Sequence, residues 1–176
     1  MTLSKSLSAK CLTLIFVISG LIGCTYPASS YSIVGLSAAS QKIDADLRSV
    51  NVFMDKGADS DLPEPLYEWQ SALHDAINRS MVFNDDSSRK VDISVYIAKL
   101  KKLSGVSTVT SIEARYDIIE CKSGRILFSK SFSSSGIVTF GEASNGNYRI
   151  QESVCRAVKS NISQFLNRLN GFNGQL

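Results

Sequence analysis

The spacing of apolar residues along the chain changes several times, and each period predicts an element. Val50, Val52 and Met54 alternate with Asn51, Phe53 and Asp55 up to Lys56-Gly57, which predicts a first strand partly buried on both faces. After Asp61-Leu62-Pro63-Glu64-Pro65, a helix-start composition, Leu66, Trp69, Leu73, Ala76, Ile77 and Met81 fall on one face of a helix ending near Phe83-Asn84-Asp85-Asp86. Val91, Ile93, Val95 and Ile97 then alternate with Asp92, Ser94 and Tyr96, giving a second strand with one apolar and one polar face. Gly105 marks a turn. Beyond it Ile112, Ala114, Tyr116 and Ile118 form the inner side of a third strand. Lys122-Ser123-Gly124 leads tightly into a fourth, over residues 125–133, with Ile126, Phe128 and Phe132 on one face. Residues 137–140 either continue this strand past Gly136 or form a separate piece. After a loop over 141–147, Ile150, Val154, Val158, Ile162, Phe165, Leu166 and Leu169 trace about five turns of amphipathic helix, with Arg149, Arg156, Lys159 and Arg168 off the apolar stripe.

The order β-α-β-β-β-α, with one-sided helices and strands polar on one face, predicts an α+β two-layer sandwich. A mostly antiparallel four-stranded sheet carries both helices on the same face. The other face is left to solvent or a partner.

The first residues follow a different rule. Lys5 and Lys10 precede an apolar run over residues 11–23, and no acidic residue occurs before Asp44. This is the pattern of a secretory signal. A run of about 13 residues spans roughly 20 Å as a helix, short of the roughly 30 Å of hydrocarbon that a permanent span must cross. At its end stands Leu21-Ile22-Gly23-Cys24.

Composition adds that the remainder is globular: 44% of the 176 residues are hydrophobic and 20% charged. The formal charge of +3 includes Lys5 and Lys10; without them 17 basic residues stand against 16 acidic ones. Nucleic-acid binding is excluded from the expectations because no concentrated basic face is present. The organisation expected is a signal over residues 1–23, a small and polar tether over 24–42, a folded domain over 43–169 and a polar tail over 170–176.

Leu21-Ile22-Gly23-Cys24 resembles the lipobox of bacterial lipoproteins. The resemblance implies cleavage between Gly23 and Cys24 and attachment of acyl chains to Cys24, so that the membrane is the first partner. Thr25 follows, where many inner-membrane lipoproteins carry aspartate, so the implied address is the periplasmic face of the outer membrane. The order of elements over residues 43–169 resembles the small envelope lipoproteins of lipopolysaccharide assembly and the auxiliary lipoproteins of ABC-type envelope transporters. From that resemblance only Cys24 carries a role.

Candidate chemistry is sparse. With Cys11 in the signal and Cys24 lipidated, Cys121 and Cys155 remain in an oxidising compartment; they form one disulfide or stay as separate buried thiols. No metal or other cofactor is expected, since two thiols and the single His74 lack ligand spacing. His74 has no nucleophile motif to serve. Asp85-Asp86 sits in a turn with Asn84, Ser87 and Ser88 beside it, where a solvated loop explains the pair as well as acid-base chemistry does. Gly141-Glu142-Ala143-Ser144-Asn145-Gly146-Asn147 lacks the lysine and spacing of a phosphate loop. Lys99, Lys101 and Lys102 form a short basic cluster that suits either solvent or anionic headgroups, and Trp69 with Tyr67 suits either core packing or a groove. The expected function is a non-enzymatic envelope lipoprotein that binds another envelope component, with an envelope protein as the expected partner, in outer-membrane assembly, transport or maintenance. A periplasmic lipid or glycolipid carrier is the alternative, and an envelope enzyme ranks below it.

Overall fold

A computed structural model describes residues 30–36, 38–62 and 65–171. The signal, the lipobox with Gly23 and Cys24, the first part of the tether, Pro63-Glu64 and most of the polar tail lie outside the described residues. The elements follow in the order β1 (Asp46–Ser60), α1 (Leu66–Ser80), β2 (Lys90–Ser104), β3 (Ser107–Glu120), β4 (Ile126–Thr139) and α2 (Gly146–Asn170). The sheet order is β1-β2-β3-β4. The β1–β2 pair is parallel, joined across α1, while β2–β3 and β3–β4 are antiparallel hairpins. The architecture is the expected α+β sandwich with both helices on one sheet face.

Between the layers lies one core. From the sheet come Val50, Val52, Val91, Ile93, Val95, Ile97, Ile112, Ala114, Tyr116 and Ile118; from the helices come Trp69, Leu73, Ile77, Val158, Ile162, Phe165 and Leu166. Its centre is aromatic. The Tyr116 and Phe165 rings stack at 4.4 Å, Phe132 and Phe128 meet Phe165 edge-on at 6.3 and 6.0 Å, and the Trp69 indole N–H donates to the Tyr116 hydroxyl at 3.2 Å. Burying Trp69 and Tyr116 together satisfies the polar handle of each ring.

The strands run further than the alternation implies, and bulges in β2 and β4 shift its phase. Ala98 is unpaired between Ile97 and Lys99, so the buried positions of β2 pass from odd to even and Leu100 joins the core. Leu127 does the same in β4: Phe128 opposes Ile118, but Ile126 opposes Ile119 and faces solvent, contrary to the expected shared face with Phe128. Met81 also departs from its expected place on the helix stripe. It is the left-handed C-cap of α1, at φ 49°, and its side chain is exposed.

Residues 137–139 continue β4 without a break, because Gly136 lets the strand pass directly beneath α2. A Cβ there would lie 2.0 Å from the Ser153 carbonyl oxygen and 2.6 Å from the Ala157 nitrogen. Helix α2 starts at Gly146, inside the expected loop, with the Asn145 side chain accepting the Tyr148 N–H at 3.0 Å. Side chains of α2 also bond carbonyls of β4: Asn161 to Phe132 at 3.0 Å, Gln164 to Ser133 at 3.0 Å and Arg156 to Ile137 at 2.6 Å. One edge of the sheet is thereby covered by a helix. Strand β1 forms the other edge.

Candidate functional site

Along β1 the edge borders a groove of about 550 Å³. Arg48, Ser49, Val50 and Asn51 form one wall, and Tyr67, Gln70, Ser71, His74, Asp75 and Asn78 of α1 form the other. Val50 points into the core, whereas Asn51 pairs in register with Ser94 and belongs to the open sheet face. Both faces of the strand therefore contribute, and the groove follows the strand edge itself. An edge strand offers a row of main-chain donors and acceptors that another extended chain can pair with. The polar α1 wall, with the Asp75–Arg79 ion pair at 2.7 Å and the Asn78–His74 side-chain contact at 3.3 Å, supplies hydrogen-bonding groups beside it.

Next to the groove, the open face of the sheet is ordered by charge and aromatic contacts. Arg48 and Ser49 both donate to the Asp92 carboxylate, Ser49 at 2.7 Å. The Arg48 hydrogen bond is the main reason the Asp92 carboxyl is held below its usual range. Further along, Phe53 stacks on Tyr96 at 5.6 Å and the Arg115 guanidinium lies 4.8 Å over the same Tyr96 ring. Asp117, almost fully buried, accepts from Arg115 at 3.2 Å and from Ser129 at 2.6 Å. This face presents a fixed pattern of rings and charges.

The expected disulfide between Cys121 and Cys155 is not formed; both are free thiols. Cys121 ends β3 on the side of Asp92, where burial and the adjacent carboxylate raise its pKa. Cys155 is enclosed on α2, its thiol 2.9 Å from the Ser30 carbonyl oxygen, and burial pushes its pKa up to about 11. One thiol serves the open face and the other packs beneath the chain that leads into β1, so the sheet separates them. Neither is activated. Alkylation of the unfolded, non-reduced mature protein is expected to label both, and its melting temperature should be the same with and without reductant. A reductant-dependent melting temperature would show that the pair bonds after all.

The other candidates separate cleanly. Trp69 is core, while Tyr67 is exposed at the groove. His74 is exposed and lines the groove. Asp85 and Asp86 lie exposed in a turn. Lys99 faces solvent, and Lys101 is paired with Asp59. In the 141–145 loop Arg149 donates to the carbonyls of Ala143 and Ser144, each at 2.9 Å, closing an ordinary connection. Among the described residues no group of three His, Cys, Asp or Glu side chains could hold a metal ion, and no helix is long and apolar enough to cross a membrane. Periodicity gave no notice of Phe53 and Arg115 as partners of Tyr96. Their polar-face register was the available signal, but it needs the pairing of three strands.

Comparison with known proteins places this geometry. No protein-family profile matches the sequence, and no curated protein matches it. Among solved structures, a DUF330 protein from Xanthomonas campestris aligns over 82% of this chain and 94% of its own, at TM-score 0.54 and 10% identity. A hypothetical protein from Chlamydia trachomatis aligns over 75% and 98%, at TM-score 0.51 and 11% identity. The chain shares its fold with these two proteins. A minor lipoprotein from Acinetobacter baumannii aligns over 69% of this chain and 91% of its own, at TM-score 0.47 and 8% identity.

Proposed function

We propose that this chain is a lipid-anchored, non-enzymatic envelope protein that holds an extended segment of another envelope protein along the β1 edge. The carrying observation is the unpaired edge lying beside a polar groove of about 550 Å³. Strand addition needs only such an edge for affinity, with alternate side chains of the incoming strand read by the flanking surfaces. Here those surfaces are the α1 wall and the Phe53–Tyr96–Arg115 layer. Anchoring rests on the resemblance of residues 21–24 to a lipobox, and Thr25 favours the outer membrane over the inner one.

The packing of the interior supports this reading over a lipid carrier. Trp69, Leu73, Ile93, Tyr116, Ile162 and Phe165 fill the space between helices and sheet and are each buried to within 2%. An acyl chain would have to displace the stacked rings. The groove at the β1 edge lies outside this packed interior.

The test is recovery of partners from whole envelopes with the lipidated protein. Asn51→Lys places a charge on the edge and Ser71→Arg fills the groove, and neither residue belongs to the core. Together they are expected to weaken recovery of the partner about tenfold or more, equivalent to roughly 1.4 kcal/mol. Unchanged recovery would move the binding surface elsewhere.

A further inference from the structure

Before β1 begins, residues 30–36 and 38–42 lie against the helical layer and form neither helix nor strand; the first bridge is that of Ile43 to Phe83. The Ser30 carbonyl accepts from the Cys155 thiol at 2.9 Å and from the Lys159 ammonium at 2.7 Å, which places it over the middle of α2. Tyr31 sits between the helices, with Glu68 of α1 and Cys155 and Glu152 of α2 as titratable neighbours, and burial there pushes its pKa up to about 12. The Ser32 hydroxyl accepts from Arg79 of α1 at 3.3 Å, and the Ala39 N–H donates to the Ser80 carbonyl at 2.8 Å. The segment thus crosses from α2 to the C-terminal end of α1. Cys155, fully buried, lies beneath its start.

What holds this strap is slight for its length. Among the described residues from Ser30 to Lys42, Ile33 alone has a buried side chain; Tyr31, Leu36 and Ala39 pack in part, and Val34 is 90% exposed. The bonds to Ser30 and Ser32 from Lys159 and Arg79 end on long, exposed side chains. A hollow of about 260 Å³ remains between Tyr31 and Ser32 on one side and Glu68, Ser71 and Ala72 of α1 on the other. Strand β1, by contrast, is paired to β2 and contributes Val50 and Val52 to the core. Segments with few buried apolar contacts and exposed hydrogen bonds open before the rest of a domain unfolds.

The same strap decides how far the domain can stand from a lipid on Cys24. The stretch from Cys24 to Ser30 spans at most about 20–22 Å, and that from Cys24 to Ile43 at most about 63–68 Å. With the strap docked, only the shorter stretch lies between anchor and domain. With it undocked, the longer one does, because Ile43 is the next point tied into the fold, its N–H donating to the Val82 carbonyl at 2.8 Å.

We infer that residues 30–39 form a releasable strap, which opens while the sheet and both helices stay folded and so switches the lipid anchor between a short and a long leash. The leash rests on the lipoprotein reading; the opening of the strap does not. Docked, the strap holds the domain close to the bilayer, with the cleft between α1 and α2 as its point of attachment. Released, it lengthens the leash about threefold and lets the β1 edge meet a partner farther from the membrane.

The experiment uses Cys155 as the reporter of opening and the partly exposed Cys121 as its reference. Full-length protein is produced with its lipid, checked for acyl mass on Cys24, reconstituted in phosphatidylethanolamine–phosphatidylglycerol vesicles and labelled with a maleimide that is read peptide by peptide. In the parent, Cys155 is expected to react faster than global unfolding allows. Ile33→Asp is expected to raise its rate at least about tenfold relative to Cys121, whereas Ile118→Val, a fully buried change on β3 away from the strap, leaves it as in the parent. Labelling of Cys155 that tracks global unfolding in the parent and both variants overturns the strap. In the same vesicles, with dansyl groups on the lipid heads, energy transfer from Trp69, the only tryptophan, reports the distance to the membrane. Ile33→Asp is expected to lower it at least about twofold as the mean length of the leash grows. Transfer that stays constant while Cys155 opens overturns the leash. Absence of acyl mass on Cys24 removes the lipoprotein reading and the leash with it, while the labelling of Cys155 still decides whether the strap opens.

Discussion

Gly136→Ala is expected to lower the stability of the domain by about 3 kcal/mol or more, the upper range for forcing extra volume into a packed interior. For a domain of this size that corresponds to a fall in melting temperature of roughly 6–12 °C. The reason is local: the added methyl would stand 2.0 Å from the Ser153 carbonyl and 2.6 Å from the Ala157 nitrogen, both backbone atoms of α2 that cannot rotate away. To admit it, the helix must lift from β4. That would pull on the contacts joining α2 to the sheet, among them the hydrogen bond from the Ser134 hydroxyl of β4 to the Ala157 carbonyl at 2.9 Å and the hydroxyl pair of Thr110 on β3 with Ser153 at 2.7 Å. Gly141→Ala is the matched control, because its added methyl would find its nearest neighbour, the Thr139 hydroxyl oxygen, at 3.9 Å. Equal melting temperatures for the two variants would mean that α2 does not approach β4 as described.

The second large effect concerns location. Cys24→Ala is expected to shift the protein from the membrane to the soluble fraction of the envelope, with the folded domain unchanged in its melting temperature. Each buried methylene of a lipid anchor contributes about 0.8 kcal/mol, so two or three chains of ordinary length hold a domain effectively permanently, while one myristoyl chain gives only marginal binding. Fractionation of envelopes, with detection of the processed chain, checks this. A Cys24→Ala protein that stays as tightly membrane-bound as the parent would show that something other than a lipid on Cys24 holds it.

Much of the fold is legible in the chain because burial and secondary-structure period agree over long stretches. Val91 to Ile97 and Ile112 to Ile118 alternate without exception, and the apolar positions of α2 keep helical spacing to Leu169. The alternation misleads at Ala98 and Leu127, where one unpaired residue shifts the phase. A bulge leaves no distinctive residue at those points, so Ile126 reads as core and Leu100 is passed over. Gly136 reads as a break for a related reason: from sequence alone a glycine in a strand marks either an interruption or a close approach, and here it is the approach of α2.

The candidate sites were less legible. Cysteine counting places Cys121 and Cys155 in one compartment but says nothing of the sheet between them. The β1 groove draws on residues more than twenty positions apart, Ser49 and Asn51 on one side and His74 and Asn78 on the other. Of these the sequence singles out His74, and for its chemistry rather than its position. The exposed apolar residues at the β2–β3 turn did leave a trace. Leu103 and Val106 flank Gly105, where a turn ordinarily carries polar residues. Only the register shows that Ile137 lies in a row with Leu103, while Phe140 lies opposite Val106.

The most direct measurement of the proposed function is photo-cross-linking in intact envelopes, with the reactive group placed at Gln70 in the wall of the β1 groove and, for comparison, at Lys122 in the distant β3–β4 turn. The account predicts a discrete protein adduct from Gln70 that is absent from Lys122 and lost when Asn51→Lys and Ser71→Arg are added. Adducts of equal yield from both positions, or none from Gln70 while the protein remains folded and anchored, would contradict it.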